Sequence, residues 1–146
     1  MALEHGARDT TQDLDVLMHS GSGDIRLCAS QISTLYGIAD DWINDAGSKF
    51  VTPEIMAASK VFWELPNLKI LTPPADALLA MKVLAMRIDR RHPDRSDIVF
   101  LINQLKLHDV DAILALVKKY LPEFANDLTT DHKDYLELFV AEARRQ

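Results

Sequence analysis

Asp13 and Asp15 stand on either side of Leu14 in the run Thr10-Thr11-Gln12-Asp13-Leu14-Asp15-Val16-Leu17-Met18. Read as a strand, the run sends Gln12, Leu14, Val16 and Met18 to one face and Asp13, Asp15 and Leu17 to the other. Alternate strand residues have Cα atoms roughly 6.5–7 Å apart. Carboxylates so placed repel each other unless a cation neutralises them. Magnesium takes one or two carboxylates together with substrate phosphates, with oxygens at about 2.0–2.1 Å. Two such ions ~3.5–4 Å apart clamp a transferring phosphoryl group. The same pattern also has a plainer reading, two acids exposed to water on a solvated strand.

Lys82 lies on one helical line with Leu78 and Ala85, beside Met81. A lysine on an apolar face snorkels its charge to solvent, or reaches a triphosphate or a carboxylate in a cleft. Asp94 suits a helix N-cap, and Asp97 suits the first turn, where the helix dipole favours an anion. Asp97 also borders the stripe of Ile98 and Leu101, where its carboxylate could orient Lys82. Arg87, Arg90, Arg91, His92 and Arg95 form a dense basic cluster, read either as a phosphate contact or as a solvated loop. Arg8 suits phosphate contact or salt bridging. His5, His19, His108 and His132 lack metal-ligand spacing. Cys28, the single cysteine, falls among Ile25, Leu27 and Ile32 and reads as a buried, inert thiol.

The elements that must position these groups follow from punctuation and period. Ser20-Gly21-Ser22-Gly23 turns the chain, and Asp24 caps a helix through about Tyr36. Asp40 to Phe50, with Trp42, Ile43, Ala46 and Phe50, suggests a short helix. Val61–Leu65 and Leu68–Leu71 read as strands around Pro66-Asn67, either a hairpin or two edge segments. Pro73 and Pro74 stop the strand and open a helix near Ala75. Further helices follow around Ile98–Leu105, from Val110 to Leu121, and from about Thr130 onward. Strands early and helices late imply an α+β arrangement in a single domain, residues 1–73 holding the sheet and 74–146 the helices.

The 146 residues suffice for one core, and 48% hydrophobic with 26% charged residues is ordinary globular usage. A formal net charge of -6 argues against a protein that coats nucleic acid broadly. A lone cysteine forms neither an intramolecular disulfide nor a structural zinc site, which fits a reducing cytoplasm. No apolar run approaches the ~20 residues of a membrane span.

The segment from Arg8 to Val16 resembles the surroundings of the paired acids in bacterial nucleotidyltransferase-fold proteins, especially the AbiEii-like toxin group and its uncharacterised relatives. Asp41-Trp42-Ile43-Asn44-Asp45 resembles a Trp-hydrophobic-Asn segment in some of them. Leu78-Leu79-Ala80-Met81-Lys82-Val83-Leu84-Ala85, followed by Arg87 and then Asp94-Arg95-Ser96-Asp97-Ile98, resembles their lysine-bearing helix and the acid-x-x-acid helix start after it. The likeness spans most of the first 105 residues in the same order.

This resemblance implies a small mixed sheet with a helical C-terminal half. It implies magnesium on Asp13 and Asp15, phosphate contacts from Lys82 and Arg8, and Asp97 in support of the site. The implied reaction moves a nucleotidyl group from a nucleoside triphosphate to a hydroxyl on RNA or protein, in a toxin–antitoxin or phage-defence setting. The family pattern places a first strand and a Gly-Gly or Gly-Ser turn, then a helix, before the acids. Met1–Gly6 matches only the end of that helix, so the resemblance is to a truncated form. The alternative outcome is a catalytically degenerate member of the same fold that self-associates or binds an antitoxin-like partner. A helical DNA-binding regulator is the third and weakest reading, because the basic residues gather at one break rather than along a recognition helix.

Overall fold

A computed structural model describes residues 13–86 and 95–145. The expectations placed on Arg8, on Arg87, Arg90, Arg91 and His92, and on the Asp94 cap lie outside the described residues. The architecture is α+β with a helical C-terminal half, and the chain separates after Val51 into two compact units.

The first unit is built on a βαβ connection. Strand β1 (Leu14–Asp15) pairs in parallel with β2 (Ile43–Asn44), Leu14 opposite Ile43 and Asp15 opposite Asn44. Helix α1 (Ser22–Tyr36) makes the crossover that a parallel pair requires. Val16 N–H donates to the Asn44 carbonyl at 2.8 Å, extending the ladder by one bond. The helix begins two residues ahead of the expected Asp24 cap, because Gly21 takes the left-handed conformation at φ 64° and serves as N-cap. It ends on Gly37, also left-handed, whose N–H donates to the Ser33 carbonyl at 2.9 Å.

Side-chain bonds fasten α1 to the chain beyond it. Ser33 Oγ lies 2.7 Å from Asp40 Oδ1, and Trp42 Nε1 donates to the Ala29 carbonyl at 3.1 Å. The expected helix over Asp40 to Phe50 is instead a turn, strand β2 and a 3-10 turn over Ser48–Phe50. Trp42 spends its indole on α1, and the residues after it extend alongside β1.

The second unit opens with helix α2 (Pro53–Ala58). Thr52 caps it by accepting from Ile55 N–H at 3.3 Å, with Pro53 in the first turn. Strands β3 (Lys60–Leu65) and β4 (Leu68–Thr72) form an antiparallel hairpin across the two-residue Pro66-Asn67 turn. Val61 faces Leu71 and Trp63 faces Ile70, so Phe62 is an extra residue on β3, a bulge. The strands of the two units thus make two separate ribbons, one parallel and one antiparallel.

Helices α3 (Ala75–Ala85), α4 (Arg95–Gln104), α5 (Val110–Tyr120) and α6 (Thr130–Ala143) carry the core. Helix α3 packs on α5 and α4, and α4 packs on α6. Leu79, Val83, Ile98, Leu101, Ile102, Ile113, Val117 and Leu136 are fully buried between them. The apolar stripe on each helix drives this association. No helix among the described residues is long and apolar enough to cross a membrane.

Candidate functional site

Strand β1 presents its acids to solvent. Asp13 precedes the strand and Asp15 closes it, and both are exposed. Asp15 therefore stands at the carboxyl end of a parallel strand, the edge at which open α/β sheets bind ligands. The corresponding end of β2 carries Asn44 and Asp45. Asn44 Oδ1 accepts from Ala46 N–H at 2.9 Å, and Arg26 on α1 pairs with Asp45 at 3.2 Å. Gly47 follows; a Cβ there would lie 3.4 Å from the Asp15 Cβ, an ordinary contact that its small size leaves open. Exposed carboxylates are the ligand type that a hard divalent cation takes, with its remaining oxygens from water or phosphate. Among the described residues no group of three or more His, Cys, Asp or Glu side chains converges as a self-sufficient metal cage.

Lys82 and Asp97 come together in the second unit. Lys82 Nζ lies 2.9 Å from Asp97 Oδ2, joining α3 to α4. The Asp97 side chain is only 3% exposed, whereas that of Lys82 is 22% exposed. A carboxylate so buried costs several kcal/mol of desolvation unless a counter-charge meets it, by general estimates of about that size. The pair therefore holds the lysine head at one place on the helix surface while leaving part of it open to solvent. Asp13 and Asp15 belong to the unit before Val51, and Lys82 and Asp97 to the unit after it.

Arg95, the described member of the basic cluster, is engaged within the fold. Its Nε and Nη2 both donate to Glu142 Oε2, at 3.0 and 2.6 Å, which ties α4 to α6. Cys28 is exposed, against the expectation of a buried thiol. Only Ala29 and Ser33 of α1 are buried, so the apolar neighbours of Cys28 do not enclose it.

Two polar clusters had no signal in residue spacing. Tyr120 Oη donates to Asp76 Oδ2 at 2.7 Å, and Lys119 Nζ donates to Tyr120 Oη at 2.7 Å and to Asp76 at 3.2 Å. Burial raises the Asp76 carboxyl, but the bonds from Tyr120 and Lys119 more than offset it, so it ionises below its ordinary value. Burial pushes the Tyr120 phenol up, and its bond to Asp76 adds to this against the opposing effect of Lys119. Its bonds to Tyr120 and then to Asp76 raise the Lys119 ammonium. This arrangement joins the first turn of α3 to the last turn of α5 and complements both helix dipoles.

The second cluster caps α6. Thr129 N–H donates to His132 Nδ1 at 3.2 Å, and the Thr129 hydroxyl lies 2.8 Å from the same nitrogen. Burial lowers the pKa of His132, and Asp131 opposes that shift.

Comparison of the chain with protein-family models, with curated proteins and with solved structures finds no match.

Proposed function

We propose that the chain binds magnesium and a nucleoside triphosphate through Asp13 and Asp15 and transfers the nucleotidyl group to a hydroxyl of RNA or protein. The observation that carries this reading is the pair of exposed acids around Leu14, Asp13 just before β1 and Asp15 at its carboxyl end in a βαβ unit. In such a reaction the acceptor oxygen attacks the α-phosphorus and pyrophosphate leaves. Magnesium, when bound, supplies charge neutralisation for the phosphate oxygens. Asp13 and Asp15 hold it as ligands. Lys82 and its partner Asp97 belong to the other unit, and the reading does not rest on them. A toxin–antitoxin or phage-defence setting belongs to the same proposal and rests on the resemblance alone.

The test is isothermal titration of ATP, CTP, GTP and UTP into the protein with magnesium, beside Asp13→Asn and Asp15→Asn. Both residues are exposed, and circular dichroism of each variant checks that its fold is retained before binding is compared. Saturable binding that needs magnesium and falls at least tenfold in each variant supports the reading. No binding to the folded protein rejects it. A partner-binding, catalytically degenerate member of the same fold is then the better account, and the exposed apolar hairpin β3–β4 favours that second reading.

A further inference from the structure

We draw no further inference here: the strongest candidate, the exposed apolar surface of the β3–β4 hairpin around Trp63, Leu65, Leu68 and Ile70, carries nothing because nothing in the structure shows what covers it.

Discussion

Lys82 and Asp97 answer differently to single and double replacement. Lys82→Met leaves the Asp97 carboxylate buried without that counter-charge, and the expected loss is about 3–5 kcal/mol of unfolding free energy. Lys82→Met combined with Asp97→Leu removes both charges and recovers most of it, a non-additivity that denaturant unfolding of the four proteins measures. A loss under about 1 kcal/mol in the single variant would mean that the fold does not depend on the ammonium. For the same reason Lys82→Ala is a poor probe of phosphate contact, and the exposed acids of β1 are the better one. The meeting of Lys82 and Asp97 was legible in the sequence, because each residue borders an apolar stripe on a helix that packs against the other. The environment of Cys28 was not. Its neighbours are apolar, yet what covers a helix face depends on other parts of the chain, and α1 buries only Ala29 and Ser33.

Element boundaries were most legible where local chemistry decides them. Pro73 and Pro74 precede α3, Asp109 caps α5 by accepting from Ala112 N–H at 2.7 Å, and Pro66-Asn67 makes the hairpin turn. Strand β2 was not legible. Two residues carry no period, and their partner lies on the far side of α1, so only tertiary pairing reveals them. The cap of α6 yields a prediction at this scale. His132 has a lowered pKa in the folded chain, so the unfolded chain binds its proton more readily. Its contribution is therefore fully present above the ordinary histidine value of about 6.5 and is lost as pH falls from there toward the folded value. Thermal unfolding from pH 7.5 to 5 should show this decline, and His132→Gln, which keeps an acceptor for the Thr129 N–H, should flatten it. Thr129→Ala should cost about 1 kcal/mol at neutral pH. An unchanged slope in His132→Gln would assign the decline to other groups.

The two units differ in how much core each owns. Residues 13–51 bury only Ala29 and Ser33, whereas the helices after Thr52 supply the large buried side chains. Chains near 40 residues rarely fold without such a core. A fragment of residues 52–146 should therefore unfold cooperatively with helical circular dichroism, and a fragment of residues 1–51 should show neither property. Loss of cooperativity in the longer fragment would mean that its helices need the rest of the chain. The bulge at Phe62 has its own consequence at this scale. A regular strand edge templates copy after copy, and that growth ends in a fibril. The extra residue on β3 breaks the even spacing of N–H and C=O groups along one edge, and Lys69 places a charge on the strand that forms the other. Neither edge is a good seed for an endless ladder, so the chain can keep a sticky face without becoming a polymer.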